Sequence, residues 1–321
     1  MKIVALVVTY NRLNLLQESL KAISAQTRMP DEIIVMNNGC TDGTTEWLAQ
    51  QPYTTFRFVD NQGCSAGFAY GIKKAYERGA DWIWLMDDDT IPQPEALEQL
   101  EAALNNLQPH HNQIGYLASK VVWTDGSIHS MNRCILYEEQ KGKALFPAMK
   151  DSGYSFIQYG TFLSMLLSAK AVEKLGLPYK DFFIWHDDIE YCLRINKAGM
   201  AGIYVPESQV VHATPRNYRN NVFKEPYGNV WKYKYGLRNQ LVTHRIYKGE
   251  RVFWSLLIKR LFIWPLYIMQ RRKSDRLPFI KVIWSSSLNA IRFRPKLEMV
   301  TRAAQSEPLN PDRQPVMATQ I

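Results

Sequence analysis

Three consecutive aspartates, Asp87-Asp88-Asp89, follow directly on the apolar run Trp82–Met86. A run of that kind reads as a buried strand, which places the carboxylates at the carboxyl edge of an open sheet, where ligands bind in such folds. Hard oxygen ligands suit Mn2+ or Mg2+, ions that take one or two carboxylates and complete their shell with substrate phosphates. A solvated acidic turn has the same composition, and only the position behind a buried strand favours the ligand reading. A second acidic group, Asp187-Asp188-Ile189-Glu190, is wedged between Phe182-Phe183-Ile184-Trp185 and Tyr191. Carboxylates against an apolar wall ionise with difficulty, so burial moves them toward the working pH of a general base. The same residues are compatible with an acidic helix start, in which Asp187 or Asp188 caps a segment carrying Leu193 and Ile195. His212 follows Val210-Val211 at the end of an apolar run, as a metal ligand or as a hydrogen-bonded structural histidine. Each of the three elements sits at an expected strand or helix end, which points to convergence in one site.

The elements that must position them alternate through the first half of the chain, as strands joined by crossover helices do in a mostly parallel sheet. Ile3–Thr9 reads as the first strand, and Leu13, Leu16, Leu20 and Ile23 form the apolar stripe of a helix. Ile33–Met36 is the second strand. The turn cluster from Asn37 to Thr44 leads into a helix capped by Thr41 or Asp42, with Glu46 in its first turns. Phe56–Val59 is a third strand, and the Gly-containing loop Asn61–Gly67 opens a helix from about Phe68 to Arg78. Trp82–Met86 is the fourth strand, with a helix from about Pro94 to Asn105 behind the aspartates. Ile114–Trp123 and Gly202–Val205 are the remaining strand-like runs. The expected fold class is therefore α/β.

The cysteines Cys40, Cys64, Cys134 and Cys192 are scattered without a disulfide or zinc spacing, and they read as reduced, cytosolic thiols. The apolar stretch Ile3–Val8 is shorter than a signal-peptide core and reads as a strand. Charge divides the chain. Residues 1–215 carry 18 Lys and Arg against 24 Asp and Glu, whereas residues 216–321 carry 21 against 6, a balance of +15. Such a basic, aromatic-rich segment suggests a phosphate-bearing surface, anionic lipid or nucleic acid. Phe253–Met269 is its most apolar stretch, but Lys259-Arg260 and Pro265 interrupt it, so a helix lying in a membrane interface fits better than a span. The bland alternative packs the aromatics on the catalytic domain and leaves the cations as a solvated face. The Pro- and polar-rich stretch 305–321 reads as a disordered tail.

Six ordered motifs carry a resemblance: Val8-Thr9-Tyr10-Asn11-Arg12, Asn38-Gly39-Cys40-Thr41-Asp42-Gly43-Thr44, Asn61-x-Gly63, Asp87-Asp88-Asp89, Trp185-His186-Asp187-Asp188-x-Glu190-Tyr191 and Val211-His212. Across about residues 3–215 the chain resembles the large inverting GT-A family of glycosyltransferases (family two), most closely its bacterial galactofuranosyltransferase and rhamnosyltransferase branch, which builds O-antigen, capsule or cell-wall glycans. The resemblance implies a GT-A nucleotide-sugar-binding fold over 1–215, with 216–304 as a basic amphipathic helical extension. It implies donor contacts from Thr9, Asn11, Arg12, Asn37, Asn38, Asn61 and Gly63, with Asp88 facing the ribose. Metal ligation falls to Asp87, Asp89 and His212, the base to Asp188, and the acceptor wall to Trp185, Asp187 and Glu190. Two departures bear on the donor: Asn37-Asn38 stands where the family usually has Asp-Asn, and Ala66-Gly67-Phe68-Ala69 where Gly-Gly-Phe-Asn is common. His212 lies 24 residues beyond Asp188, a spacing similar to that of galactofuranosyltransferases. UDP-galactofuranose is accordingly favoured over dTDP-rhamnose.

The expected activity is transfer of a sugar from a nucleotide diphosphate to a glycan or lipid-linked acceptor. The expected location is cytoplasmic, peripheral on the inner face of the membrane, with an anionic membrane surface and not nucleic acid as the partner of the basic segment. The oligomeric state stays open. A sugar-nucleotide nucleotidyltransferase would use similar carboxylates, but it should show a Gly-rich, basic phosphate loop after strand one, which Thr9-Tyr10-Asn11-Arg12 lacks. A non-enzymatic lipid- or nucleic-acid-binding protein would leave the acidic and histidine elements unexplained.

Overall fold

The computed structural model describes residues 1–108, 110–137, 149 and 152–301. The expected tail at 305–321 lies outside the described residues. Strand β1 (Ile3–Thr9) pairs in parallel with β2 (Glu32–Asn37) on one side and β4 (Trp82–Asp87) on the other, and β3 (Thr54–Arg57) continues the parallel set beyond β2. Its side chains alternate between two cores. Ile3, Ala5 and Val7 join α1 (Leu13–Ser24) and α4 (Ala96–Asn106) on one face, while Val4, Leu6 and Val8 meet α3 (Cys64–Glu77) on the other. Helix α2 (Thr44–Leu48) is short.

The full sheet runs β3-β2-β1-β4-β9-β6-β10-β8-β7. Beyond β4 it becomes mixed, because β9 (Met165–Ser168) enters antiparallel between β4 and β6 (Ile114–Val122). Strand β10 (Ala201–His212) then runs parallel to β6, and β5 (Thr90–Pro92) folds back antiparallel onto its end. That return pairs His212 with Thr90, so the histidine arrives beside the acidic triplet. The short strands β7 (Ile135–Leu136) and β8 (Ser155–Tyr159) finish the far edge.

Several boundaries differ from expectation for local reasons. Helix α3 begins at Cys64 and not Phe68, because Gly63, at φ +83°, turns the chain into helix immediately. Neither Thr41 nor Asp42 caps α2. Gly43 occupies that position in the left-handed region, and Asp42 Oδ1 accepts from the Thr44 amide (3.3 Å) and hydroxyl (2.6 Å). Strand β10 is far longer than Gly202–Val205, since a register shift between Val205 and Gln209 absorbs Pro206-Glu207-Ser208 without ending the pairing.

After α5 (Ala169–Leu175) and α6 (Asp187–Lys197), the chain leaves the sheet at His212 and forms helices. These are α7 (Val230–Lys248), α8 (Glu250–Ile258), a π-helical turn (Lys259–Ile263), α9 (Trp264–Arg271) and α10 (Arg276–Arg292). They hold two small cores of their own, and each reaches into the segment between Phe182 and His186, one through Trp185 and the other through Phe182.

Candidate active site

The carboxyl ends of β1, β2 and β3 form a shelf of mutually bonded polar side chains. Buried Thr9 donates its hydroxyl to Asp88 Oδ2 at 2.9 Å, and the Tyr10 amide adds a second bond at 3.2 Å. Asn37 is fully buried, donating to Thr45 Oγ1 and accepting from the Cys40 amide. Asn38 donates to Asn61 Oδ1 at 3.2 Å and accepts from the Gln62 amide, and Asn61 Oδ1 also accepts from the Gly63 amide at 2.8 Å. Asn11, at φ +53°, accepts from the Thr41 amide, and Arg12 reaches across to Asp88 and Asp89. The expected donor residues are therefore gathered in one place. The side chains of Thr9, Asn37 and Asp88 are nevertheless committed inward, Asp88 bracing the end of β1 through Oδ2 and meeting Arg12 through Oδ1.

Around this brace the electrostatics are uneven. Burial pushes the Asp88 carboxyl up to about 6 despite the Arg12 guanidinium. Partly buried Asp87 rises well above the carboxylate range through burial and the charges of Asp89 and Asp88, which outweigh the Arg12 guanidinium. Asp89 is also buried, but His212 and Arg12 hold it below its ordinary value. His212 Nδ1 lies 2.9 Å from Asn132 Oδ1, whose amide nitrogen is turned to Thr161, so Nδ1 donates there and Nε2 is the nitrogen that faces Asp89. Nε2 lies 3.3 Å from Asp89 Oδ1, a buried oxygen with no other partner. With a proton on Nε2 the two groups form an ion pair, and without it they are adjacent ligands for a cation. No group of three or more His, Cys, Asp or Glu with ligating geometry occurs among the described residues, so Asp87 does not close on the pair. An ion taking few protein ligands plus substrate phosphates fits what is present.

Across the cleft, the segment from Phe182 to His186 is a strained loop. Phe183, Trp185 and His186 have φ of +67°, +66° and +71°, conformations that cost non-glycine residues about 1–3 kcal/mol each. Two helices hold it. The Phe183 carbonyl accepts from the Ser65 amide at the start of α3, and the Asn239 amide of α7 donates to the carbonyls of Phe182 (2.9 Å), Ile184 (3.1 Å) and Trp185 (2.9 Å). The loop delivers Asp187 and Asp188 as the first residues of α6, with His186 at the cap position, so neither aspartate is the cap. Burial, then the Asp187 charge, push half-exposed Asp188 up to about 8, although the Ile189 amide donates to it at 2.7 Å. The Cys64 thiol feels Asp187, Asp87 and Asp188 together, which sets the two acidic groups around one space.

A family model described as glycosyltransferase like family 2 matches residues 2–225. The chain belongs to glycosyltransferase family 2. Curated relatives agree. It is 29% identical over 213 residues to galactofuranosyltransferase GlfT1 of Mycobacterium tuberculosis, covering 61% of this chain and 65% of that one. An uncharacterized glycosyltransferase of Rickettsia typhi is 33% identical over 227 residues, covering 69% of this chain and 68% of its own. Two solved structures share the fold: GalNAc-T7 with UDP, GalNAc and Mn2+ (TM-score 0.58, 13% identity, 89% of this chain and 54% of that one) and Staphylococcus aureus TarS (0.52, 14%, 91% and 54%). The fold of this family 2 transferase is thus GT-A, and the chain spans just under two thirds of the length of GlfT1.

Two expected acceptor residues of the transferase need correction. Glu190 is fully buried, paired with Arg194 and accepting from the Tyr247 hydroxyl at 2.7 Å, so it ties α6 to α7 and faces no acceptor. The Trp185 ring packs over Gly236 and edge-on to Tyr233, away from an open wall. Sequence reasoning missed Asn132, Asn239 and His129, whose ring lies tilted with its centroid 4.5 Å from that of His212 and whose pKa is lowered to about 4, first by burial and then by His212. Lone polar residues in unremarkable surroundings gave no signal for them.

Proposed function

We propose that this family 2 glycosyltransferase is an inverting enzyme that passes a sugar from a nucleotide diphosphate donor, UDP-galactofuranose first and dTDP-rhamnose second, to a glycan or lipid-linked acceptor hydroxyl. The observation that carries the reading is the half-exposed Asp188, with its raised pKa, standing across the Cys64 space from the Asp87–Asp89 edge. A carboxylate poised near neutral pH can take the acceptor proton as the hydroxyl attacks the anomeric carbon from the face opposite the leaving group. Asp89 and His212 would hold a Mn2+ or Mg2+ ion, which when bound would supply positive charge for the diphosphate leaving group. Arg12 faces the same edge and can meet phosphate charge when the donor enters. Asn11, Asn38 and Asn61 are the donor contacts that remain, and the likeness to GlfT1 supports the choice of sugar.

The test is donor turnover with radiolabelled UDP-galactofuranose, dTDP-rhamnose and UDP-galactose, each with Mn2+ and with chelator. The expected result is metal-dependent UDP release from UDP-galactofuranose, lowered about 10²–10⁴-fold in Asp188→Asn with UDP affinity retained. Near-wild-type turnover by Asp188→Asn would remove the base, and turnover unaffected by chelator would remove the ion.

A further inference from the structure

The continuous helical run Glu250–Arg271 shows Trp254, Ile258, Phe262, Leu266 and Met269 at steps of four, four, four and three residues, a single helical face. All five are exposed, Phe262 by 67%. Helix α10 adds Leu277, Trp284 and Leu288 at heptad-like steps, also exposed. The two stripes adjoin, since Trp284 Nε1 donates to the Leu261 carbonyl at 2.9 Å. Soluble monomers seldom leave so extended an apolar face to water. Exposed cations surround it, among them Arg251, Lys259, Arg271, Lys273, Arg276 and Lys281. Of the three acids between residues 250 and 301, Glu250 is paired with Arg245 and Glu298 with Lys73 and Lys180.

We propose that this face docks the enzyme on an anionic bilayer, with α8–α9 and α10 lying in the plane of the interface. The apolar stripe seats among acyl chains, the tryptophans sit at headgroup depth, and the cations meet lipid phosphates. A second copy of the chain is a poor occupant, because it would bring the same cations face to face. A span is opposed by the other side of the helix. By length and composition the 22-residue run, which contains an 18-residue window of mean hydropathy 1.5, could cross a membrane. Yet Phe253, Leu257 and Ile268 are buried in the cores shared with α7 and α10. The buried Arg260 guanidinium donates to the Leu237 carbonyl at 2.6 Å and to Gln240 Oε1. Spanning would strip those contacts and carry Arg260 into hydrocarbon. The proposal rests on neither the donor nor the reaction.

The test is flotation of the full chain with vesicles of phosphatidylcholine alone or mixed with phosphatidylglycerol, at low and high salt. Tryptophan quenching by brominated lipid reads depth in the same samples. The expected result is binding to the anionic vesicles, weakened by salt, with shallow quenching. The double variant Phe262→Glu/Leu266→Glu should bind roughly 10- to 100-fold more weakly, while Met29→Glu, on a distant exposed site, binds as wild type. Mn2+-dependent UDP affinity unchanged in the double variant shows that it is folded. Absence of flotation with either vesicle overturns the proposal. So does a dimer in sedimentation that the double variant abolishes, and so does attachment that only detergent releases.

Discussion

Replacing Asn239 by alanine should release the loop that carries Asp188. The side chain is fully buried, and its two amide protons are shared among the Phe182, Ile184 and Trp185 carbonyls, while Oδ1 accepts from Arg238 Nε at 3.0 Å. Losing the donors forfeits about 0.5–1.5 kcal/mol for each of the three bonds, about 2–4 kcal/mol together, with the Phe182 carbonyl still accepting from the Ile184 amide. The three left-handed residues between Phe182 and Asp187 store strain of comparable size. Once the clamp is gone the strain is no longer outweighed, and Asp188 loses its fixed position. Turnover should fall roughly 10²-fold, as for a misplaced base, with the donor KM within about threefold of wild type. Hydrogen exchange of peptides covering residues 182–189 should rise, while β1 and β4 peptides stay protected. Leu104→Ala, a fully buried deletion in α4, supplies the control: it should lower Tm comparably and leave kcat alone. Unchanged exchange in the loop together with near-normal kcat in Asn239→Ala would refute the clamp, as would an equal kcat loss in the control.

Four further outcomes follow from the same geometry. The base works deprotonated, so turnover should climb with pH through about 8 and then level off, and a profile flat from pH 6 to 9 would contradict the raised Asp188 pKa. Because that folded pKa lies above the unfolded one, ionisation opposes folding above pH 8 and not below the ordinary carboxylate range. Asp188→Asn should therefore raise Tm most at high pH, with the gain shrinking as pH falls. Asn132→Ala should weaken Mn2+-dependent UDP binding about 10–100-fold by freeing the His212 tautomer, and calorimetry showing wild-type affinity would exclude that role. Gly63→Ala should lower Tm and transfer together, by about 2–4 kcal/mol of stability, since its Cβ would lie 2.3 Å from the Phe183 carbonyl at φ +83°. Wild-type Tm there would show that the loop yields freely.

The donor half of the fold was legible because its strands are uninterrupted apolar runs that end in polar turns, as Trp82–Met86 ends in the aspartates. The second half was harder. Met165–Ser168 is too short and too close to α5 to stand out as a central strand, and Pro206-Glu207-Ser208 disguises the middle of β10. Within the site, Asp87, Asp89, Asp188 and His212 stood out in the sequence because of their residue types, and of the three expected ligands the structure brings Asp89 and His212 together while Asp87 stays apart. Glu190 misled for the same reason: nothing local shows that Arg194 and Tyr247 will enclose it. Asn239 acts on carbonyls more than 50 residues earlier in the chain, and no pattern around it reports so distant a partner.

The antiparallel insertion of β9 also fixes an order of events during synthesis. Strands β1 to β4 are complete when residue 87 has been made, but the free edge of β4 has no partner until Met165 arrives. At about 5–20 residues per second, translation leaves that hydrophobic edge open for about 4–16 s. The nascent chain therefore holds a nucleotide shelf before it holds anything to do with it. Asp89 waits for His212, and the loop bearing Asp188 waits for Asn239, so catalytic competence comes only after the first of the C-terminal helices has left the ribosome.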